Sequence, residues 1–255
     1  MEFAELSFGE DGTPFAPRYQ DVYRSRSGAG QGALVFVEGS DVRGRLRAEG
    51  RLSILETGFG LGLNLAATLQ AAVEMGEAVS LRYEAIELHP TSPADFERAQ
   101  RDFAEERVVS PHALGIAEQL TKLYGVLLRE GAARALVAGH VELAVRLVIG
   151  DGADALSKLN GPYDALYLDG FAPSRNPDLW TAPVFRALAK LARPGTTIAT
   201  YTVARPVRLG MAAAGFRVEK ILGFGDKKFR LVGEYAPAPH GTASPGLRED
   251  REPTG

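Results

Sequence analysis

The sequence predicts an α/β fold built on a mostly parallel, doubly wound sheet. From residue 51 onward, short apolar runs alternate with stretches of helical composition, and glycine or proline marks most of the joins. A glycine-rich turn also follows the first of these runs directly, beginning at Gly58. Helices that alternate with buried strands require right-handed crossovers, which cover both faces of a parallel sheet. In such a sheet, ligands bind beyond the carboxyl ends of the strands.

Residues 1–50 come before the alternating region and are rich in residues that favour turns. Phe15, Tyr19 and Tyr23 are interleaved there with Gly, Pro, Ser and Asp, and the run ALVFVEG at 33–39 predicts a strand. We therefore predict a small β-rich extension over these first 50 residues rather than an independent domain.

Residues 51–235 form the predicted main domain. Its predicted strands are, in order, RLSILETG, VSLRYEAIELHP, VELAVRLVIGD, YDALYLDGFAP and TTIATYT, with FRVEKILGFG and KKFRLVGEY as a closing antiparallel pair. Its predicted helices are LGLNLAATLQAAVEMG, SPADFERAQRDFAEE, GADALSKLN, PDLWTAPVFRALAKLARPG and PVRLGMAAAG. Pro93 near the start of the second helix, and Pro194 with Gly195 after the fourth, are typical of helix ends.

Two segments interrupt this pattern. Residues 103–140 contain an apolar-periodic helical insertion where a short loop would suffice, and such an insertion is either a lid over a ligand or additional packing. Residues 236–255 consist mainly of proline, glycine and charged residues, so we predict a disordered tail.

Composition narrows the functional classes. The chain has no cysteine, which excludes disulfides and thiolate chemistry, and its four histidines are scattered without ligand spacing, so we expect no metal. Its acidic start lacks a secretory signal, and no run approaches the roughly 18 apolar residues of a membrane helix. We therefore predict a soluble cytoplasmic protein without a membrane partner.

Positive charge is concentrated towards the end of the chain. The stretch 186–230 contains ten basic and two acidic residues, although the formal net charge of the chain is −3. This asymmetry fits a surface that binds a polyanion, but solvated helices and loops would carry the same residues. Charge alone leaves both interpretations open.

The segment ILETGFGLGLN carries an acid and then three glycines at alternate positions, namely Glu56, Gly58, Gly60 and Gly62. Glycines keep such a turn tight and let a ligand approach the backbone, while the start of the next helix favours an anion. The spacing differs from the dinucleotide pattern G-x-G-x-x-G, and a leading acid would repel a pyrophosphate. It suits S-adenosylmethionine, which carries an ammonium, a carboxylate and a sulfonium. A tight turn without a ligand is the alternative.

Three further acids lie at predicted strand ends. Glu87 ends the second strand, where it could accept both ribose hydroxyls of a nucleoside. Asp151 follows the third strand, where it could bond an adenine edge, cap the next helix, or do both. Asp169 ends the fourth strand, beside which we expect the reacting end of the cofactor.

The segment LYLDGFAPSRNPDLW is the most distinctive of the chain. Gly170 keeps the backbone open after Asp169, Phe171 offers a ring, and Pro173 stiffens the loop. This combination suits a substrate with a planar base and an amine, because the ring can stack on the base while the acid accepts from the amine. A rigid loop around a buried aromatic side chain is the alternative.

Taken together, these motifs resemble the methyltransferase part of the bacterial tRNA 5-methylaminomethyl-2-thiouridine biosynthesis protein. The resemblance runs from about residue 11 to 233, in the same order throughout. The segments that carry it are DGTPFAPRYQDVYRS, VFVEGSD, ILETGFGLGLN, IELHP, GDGADAL, LDGFAPSRNPDLWT, LARPGTTIATYTVARPVRLGMAAAGF and LGFGDKKFRL.

The resemblance implies a Rossmann-like, class I S-adenosylmethionine methyltransferase. Such an enzyme would methylate the primary amine of 5-aminomethyl(-2-thio)uridine at the tRNA wobble position and leave S-adenosylhomocysteine. The family is commonly fused to a flavin-dependent oxidase, but no second glycine fingerprint occurs in this sequence. The expectation is therefore a stand-alone methyltransferase without flavin, for which a separate enzyme supplies the aminomethyl substrate.

The motifs and the resemblance together predict the site residues, with catalysis assigned to Asp169 and Phe171. The predicted cofactor contacts are Glu56, Thr57, Gly58, Gly60, Gly62, Asn64, Glu87, Asp151, Gly152 and Asp169. The predicted tRNA contacts are Phe171, Arg175, Arg205, Arg208, Lys227, Lys228 and Arg230. Asp226 departs from the basic closing segment that is usual in the family, and it would oppose a phosphate there.

Other functions stay open on the sequence alone. One is a methyltransferase or aminopropyltransferase that acts on a small free amine and turns over without RNA. Another is a non-catalytic RNA-binding module that keeps an inactive cofactor pocket. A nicotinamide-dependent dehydrogenase is disfavoured by the glycine spacing.

Overall fold

The structure, a computed structural model, describes residues 2–24, 32–106, 110–224 and 227–237. The strands among them are β1 (Ser7–Phe8), β2 (Pro14–Ala16), β3 (Asp21–Val22), β4 (Arg51–Thr57), β5 (Val79–Glu87), β6 (Ala132–Val137), β7 (Val141–Ile149), β8 (Tyr163–Leu168), β9 (Ala192–Thr200), β10 (Phe216–Phe224) and β11 (Lys227–Tyr235). The α-helices among them are α1 (Val42–Glu49), α2 (Leu63–Val73), α3 (Pro93–Glu106), α4 (Ala113–Glu130), α5 (Gly152–Leu156), α6 (Ala182–Lys190) and α7 (Arg205–Ala213). Two shorter turns of helix are a π-helix at Ala33–Glu38 and a 3₁₀ helix at Pro177–Trp180.

Strands β4 to β11 form one sheet in the order β10-β11-β9-β8-β4-β5-β7-β6. The five central strands, β9, β8, β4, β5 and β7, are parallel to one another. The pair β10 and β11 closes one edge in the antiparallel sense, and β6 closes the other. Strand order reverses at β4, so a crevice is expected beyond the carboxyl ends of β4, β5 and β8. The predicted α/β fold with an antiparallel closing pair is confirmed.

The central sheet is buried on both faces, as parallel sheets in α/β proteins are. In β4, Ile54 belongs to the core on one face and Leu55 to the core on the other, and neither has exposed surface. Helix α2 packs on the first face and buries every residue from Asn64 to Val73. This packing explains why most of its residues are small or apolar on every side, and α2 begins directly after Gly62 of the glycine turn.

The strand predicted at 33–39 is wrong, because Ala33–Glu38 forms the π-helix. Its run of hydrophobic residues resembles a buried strand, and three of them are indeed buried: Val35, Phe36 and Val37. A Cβ at Gly39 would lie 2.1 Å from the carbonyl oxygen of Val35, so the end of the π-helix leaves no room for a side chain at this glycine. Strands β1, β2 and β3 form a separate three-stranded antiparallel sheet, but the π-helix and α1 hold more residues of the extension than these strands do, so it is not β-rich as predicted.

The described part of the 103–140 insertion packs against the core. Helix α4 buries one face there, and the largest of its core residues are Ile116, Leu120, Tyr124 and Leu127. Strand β6 pairs with β7 at the sheet edge, so the helix predicted for that part of the insertion is wrong. Of the described residues in this region, Phe103 alone lines the cavity at the carboxyl edge. These contacts favour the packing alternative over a lid.

The predicted domain limits at residues 50 and 235 stay predictions. Most of the predicted disordered tail, from residue 238 onward, lies outside the described residues. No helix in the described part of the chain is long and apolar enough to cross a lipid bilayer.

Candidate active site

A cavity of about 390 Å³ lies at the carboxyl edge of the parallel strands. Residues that follow β4, β5, β7 and β8 line it, and the N-terminal segment from Arg18 to Arg24 contributes a further wall. Nine of the predicted site residues line this cavity, namely Gly58, Gly60, Asn64, Glu87, Asp151, Gly152, Asp169, Phe171 and Arg175. The topology therefore brings together side chains that lie more than a hundred residues apart in the sequence.

The turn after β4 requires glycine at three alternate positions. Gly58, Gly60 and Gly62 have φ values of 82°, 52° and 67°, in the left-handed region that side chains rarely adopt. A Cβ at Gly58 would lie 2.3 Å from the carbonyl oxygen of Asp169, and one at Gly62 would lie 2.8 Å from the Phe96 ring. Gly58 and Gly60 therefore expose bare backbone to the cavity, whereas Gly62 faces the α3 side and supports the turn.

Glu56 differs from its predicted role as a direct cofactor contact. Its side chain is 1% exposed and lies behind the cavity lining. One carboxylate oxygen accepts from Asn64 Nδ2 at 2.7 Å and the other from the Tyr83 hydroxyl at 2.8 Å. Thr57 is likewise buried, and its hydroxyl donates to the backbone carbonyl of Asp169 at 3.4 Å. Both residues therefore support the site from behind.

Asp169 is the acid that reaches the cavity from β8. Asn64 Nδ2 donates to its Oδ2 at 2.6 Å, and the Gly170 amide donates to its Oδ1 at 3.0 Å. Burial raises the pKa of Asp169 to about 7, and the nearby charge of Glu87 adds to this rise, while the two hydrogen bonds oppose it. Burial also raises the pKa of Glu56 well above its usual value, with the charge of Asp169 as the next cause.

Glu87 holds the glycine turn against the end of β5. One of its oxygens accepts from the Gly60 amide at 2.8 Å and the other from the His89 amide at 2.9 Å. Burial raises its pKa, although these backbone bonds favour the charged form. Each oxygen keeps a second lone pair, so the carboxylate can still accept two hydroxyls that lie side by side. Asp151 caps α5 through the Gly152 amide at 2.7 Å and also lines the cavity, so its two predicted roles are compatible.

The loop after β8 presents an aromatic wall. The Phe171 ring stacks on Tyr19, with centroids 4.4 Å apart at 23°, and meets Tyr23 edge-on at 5.0 Å. The Asp21 carboxylate accepts from the Ala172 amide at 2.9 Å, which ties β3 to this loop. Trp180 Nε1 donates to the Phe171 carbonyl at 3.0 Å, and the Tyr201 hydroxyl donates to the Gly170 carbonyl.

Tyr19, Tyr23 and Asp21 were not among the predicted site residues. The sequence shows Tyr19 and Tyr23 four residues apart within a turn-rich segment, which is the one local signal that could have marked them. Their partner, Phe171, lies about 150 positions further along, so no local pattern joins them. Their place in the site became visible only in three dimensions.

The predicted tRNA contacts at the end of the chain divide into residues at the cavity-bearing edge of the sheet and one buried residue, Arg230. Arg205 and Arg208 lie at the start of α7, just beyond the carboxyl end of β9, and Arg205 is exposed. Lys228 is exposed at the start of β11, which reaches the same edge because β11 runs antiparallel to β9. The Lys227 side chain and Asp226 lie outside what the structure describes.

The structure contradicts the predicted role of Arg230. It is 8% exposed, and its guanidinium donates to the carbonyls of Leu34, Val35 and Leu222, the last two at 3.2 and 3.3 Å. Its charge is thus directed at backbone carbonyls that include two from the π-helix, so its predicted contact with a tRNA phosphate is wrong. Within the described residues no group of three or more acidic or histidine side chains is placed to hold a metal ion.

Comparisons with known proteins agree with this geometry. Residues 114–236 match the family model of S-adenosyl-L-methionine-dependent methyltransferases. The chain is 38% identical over 236 residues to the tRNA 5-methylaminomethyl-2-thiouridine biosynthesis bifunctional protein MnmC of Paraburkholderia phymatum, and 40% identical over 250 residues to that of Azoarcus sp.. These matches cover 92% and 97% of the chain but only 35% and 38% of the two relatives.

Among solved structures, MNMC2 from Aquifex aeolicus shares the fold. Its TM-score is 0.69 at 22% identity, and the match covers 93% of this chain and 71% of that one. The chain described here therefore has the fold of that protein and spans little more than a third of the length of the two curated relatives.

The residues that line the cavity fit S-adenosylmethionine. A Cβ at Gly58 would lie 2.3 Å from the Asp169 carbonyl oxygen, so glycine lets the turn pack directly on the loop after β8, and both line the cavity. Asp169 offers an acceptor for an ammonium, and Glu87 offers two oxygens for a ribose diol. With the family-model match and the identity to the MnmC proteins, this fit confirms the resemblance seen in the sequence. Residues 114–236 thus match the S-adenosyl-L-methionine-dependent methyltransferase family, and over more than nine tenths of its length the chain is similar to part of the MnmC proteins.

Proposed function

We propose that the protein methylates the primary amine of 5-aminomethyl(-2-thio)uridine at the wobble position of tRNA. The observation that carries this proposal is the position of Asp169 beside the stacked rings of Tyr19 and Phe171 in one cavity. A carboxylate next to an aromatic wall suits an amine carried by a planar base. The names of the relatives, which concern 5-methylaminomethyl-2-thiouridine in tRNA, support the same substrate class.

The cofactor would be held by the glycine turn and by three acids. Gly58 and Gly60 let it approach the backbone, Glu87 would accept its ribose hydroxyls, and Asp151 with Gly152 would face its base. Asp169 would accept from its ammonium. When bound, S-adenosylmethionine supplies a methyl group on a sulfonium, which a neutral amine can displace.

The protein's own contribution to the reaction is mainly one of position. Asp169 would orient the N–H bonds of the substrate amine, because Asn64 and the Gly170 amide fix both of its oxygens. Tyr19, Tyr23 and Phe171 would hold the base and keep water away from the amine. Holding two reactants at near-contact distance accounts for a large part of the rate of such transfers.

The tRNA backbone would lie along the edge that carries the cavity. Arg175 lines the cavity, and Arg205, Arg208 and Lys228 lie where α7 and β11 begin. Cations in this position would neutralise phosphates, which makes binding sensitive to salt. We also include in the proposal that a separate enzyme supplies the aminomethyl group, that no flavin or metal takes part, and that the reaction takes place in the cytoplasm.

Incubation with labelled S-adenosylmethionine and three acceptors tests this function. The acceptors are tRNA that carries 5-aminomethyluridine at the wobble position, the same tRNA without that group, and the free 5-aminomethyluridine nucleoside. Label is expected in the first acceptor alone. Label in the free nucleoside at an equal rate would favour the small-amine alternative, and binding of both cofactor and tRNA without any transfer would favour the non-catalytic one.

A further inference from the structure

Glu56 is a buried acid for which cofactor contact gives no explanation. It lies behind the cavity lining with 1% of its surface exposed. Its route to the site is Asn64, whose Nδ2 donates one hydrogen to Glu56 at 2.7 Å and the other to Asp169 at 2.6 Å. A single amide nitrogen therefore holds two carboxylates as close neighbours.

The surroundings of this pair contain acids and tyrosines. The titratable side chains that act on Glu56 or Asp169 from neighbouring elements are Glu87 and Tyr83 of β5, Tyr167 of β8 and Tyr201 after β9, with Asp21 of β3 facing Tyr201. None of the ion pairs formed within the described residues includes Glu56 or Asp169. Arg18, Arg24 and Arg175 line the same cavity, and Arg24 pairs with Glu106.

We propose that Glu56 is a positioning residue for Asp169: the two carboxylates share one proton across the Asn64 amide in the ligand-free protein, and a cationic ligand bound beside Asp169 displaces that proton to solvent. This inference rests on the proposed place of the cofactor ammonium. It gives Glu56 a role that its burial permits, because Glu56 acts through Asn64 and never touches the ligand.

The physical reason is the cost of two neighbouring negative charges away from water. Two carboxylates that share a site cannot both ionise easily, so one of them binds a proton more tightly. The pKa of Glu56 agrees with this expectation, because after burial the charge of Asp169 is the next cause that raises it. A ligand ammonium supplies the positive charge that the proton supplied before, so the proton becomes unnecessary.

The sign of the pH dependence follows directly. Because binding releases a proton, affinity rises with pH through the pKa of the pair and becomes constant above it. With a midpoint near the value of about 7 for Asp169, affinity for S-adenosylmethionine should fall about tenfold from pH 8 to pH 6.

Titration calorimetry without RNA measures the proton directly. S-adenosylmethionine is titrated into the protein at pH 6, 7 and 8, in buffers that differ in ionisation enthalpy. The dependence of the observed heat on that enthalpy gives the number of protons released. We expect the release of close to one proton per ligand at pH 6, about half a proton at pH 7 and about a tenth of a proton at pH 8. The neutral nucleoside 5′-methylthioadenosine, which lacks the ammonium, should release none.

Glu56→Gln is the deciding variant. Its amide oxygen can still accept from Asn64 and its amide nitrogen can donate to the Tyr83 oxygen, so the contacts are kept while the second negative charge is lost. Loss of the neighbouring negative charge should move the midpoint of the pH dependence to lower pH and reduce the proton release at pH 7 below that of the wild type. Glu84→Gln is the matched control, because Glu84 is a buried carboxylate on β5 that pairs with Arg82 and does not line the cavity. It should release protons as the wild type does.

Two results would overturn the inference. One is a wild-type protein that releases no proton at pH 6, and the other is a Glu56→Gln variant that keeps the wild-type count and midpoint. Because no tRNA is present, either result leaves the proposed substrate untouched. Failure of the wild type to bind S-adenosylmethionine at all would contradict this inference and the proposed function together.

Discussion

At the scale of single residues, the site is set by acids that the fold holds in an unfavourable environment. Asp169 and Glu56 are ionised with difficulty, since burial raises the pKa of each. Asp164, at the amino end of β8, shows the opposite case. Hydrogen bonds from Ser53 and Arg193 hold its pKa below the usual value despite burial. At neutral pH, ionised Asp164 therefore stabilises the folded protein at the amino end of β8, whereas ionised Asp169 destabilises it at the ligand end.

The stability of the ligand-free protein should therefore decrease as pH rises from 5 to 7. A folded-state pKa raised to about 7 means that the folded protein binds more protons than the unfolded chain in this range. One such group changes the free energy of unfolding by about 1.4 kcal/mol per pH unit, and the curve should flatten above its pKa. Urea unfolding at half-unit pH intervals measures this slope.

Glu56→Gln should reduce this slope, because it removes one of two carboxyl groups whose pKa is raised in the folded protein, and it should leave the protein more stable than the wild type at pH 8. Asp164 does not disturb the measurement, because its lowered pKa places its contribution at more acidic pH. A wild-type slope of the opposite sign would contradict the assignment of raised pKa values to this pair.

At the scale of elements, the sequence predicted best where local pattern and tertiary environment agree. The parallel strands are short apolar runs such as that of β4, and residues at their carboxyl ends reach the cavity, as Glu87 at the end of β5 and Asp169 just after β8 do. The π-helix and β6 were missed for opposite reasons. Three adjacent hydrophobic residues in the π-helix resemble a strand, whereas the Ala, Arg and Leu of β6 resemble a helix. In both cases packing against the sheet, which no local pattern records, decided the conformation.

The site residues were likewise predictable only where the local sequence pattern agrees with the tertiary environment. Acids and glycines at strand ends were predictable because the topology of parallel sheets places them together. Tyr19, Tyr23 and Asp21 come from β3 and its flanks, and they were not predictable because their partners lie on a loop far along the chain. The burial of Arg230 was not predictable for the same reason, since two of its three partners belong to the π-helix, which was itself predicted wrongly.

Asp21→Ala tests whether β3 positions the loop that carries Asp169 and Phe171. Loss of the bond to the Ala172 amide should lower kcat by between about tenfold and a hundredfold, because small displacements of reacting groups are costly. Affinity for S-adenosylmethionine should change much less, since the glycine turn and Glu87 are untouched. Single-turnover rates and calorimetry separate the two quantities.

Asp11→Ala is the control for this experiment. Asp11 also accepts from a backbone amide, that of Thr13 at 3.1 Å, but it lies outside the cavity lining. Its removal should leave both quantities near the wild-type values. An Asp21→Ala enzyme with wild-type kcat would show that the loop keeps its position without β3.

At the scale of the whole molecule, the basic stretch 186–230 is not one surface. Arg193 pairs with Asp164 near the amino end of β8, and Arg217 pairs with Glu234 at 3.2 Å. Arg230 is buried, whereas Arg205 and Lys228 lie exposed at the edge that carries the cavity. Only a part of the stretch is therefore placed to meet a polyanion that reaches the site.

Arg205→Gln and Arg230→Met should separate these roles. Arg205→Gln should weaken tRNA binding and reduce the slope of log affinity against log salt by about 1, with stability unchanged. Arg230→Met should lower the free energy of unfolding by about 3 kcal/mol, because it removes charged hydrogen bonds, of which the one to Val35 is buried. Filter binding over a salt series and urea unfolding measure the two effects. A reduced salt slope for a folded Arg230→Met protein would contradict the structural role given to Arg230.

The bond between Asp21 and the Ala172 amide joins residues 151 positions apart. At a synthesis rate of roughly 5 to 20 residues per second, Ala172 is added about 8 to 30 s after Asp21. The segment from Arg18 to Arg24 is thus synthesised early, but the loop that contains Ala172 is not available to contact it until β8 and the residues after it have left the ribosome. In ribosome-bound chains of defined length, residues 18–24 should become protected from proteolysis only after residue 172 has cleared the exit tunnel.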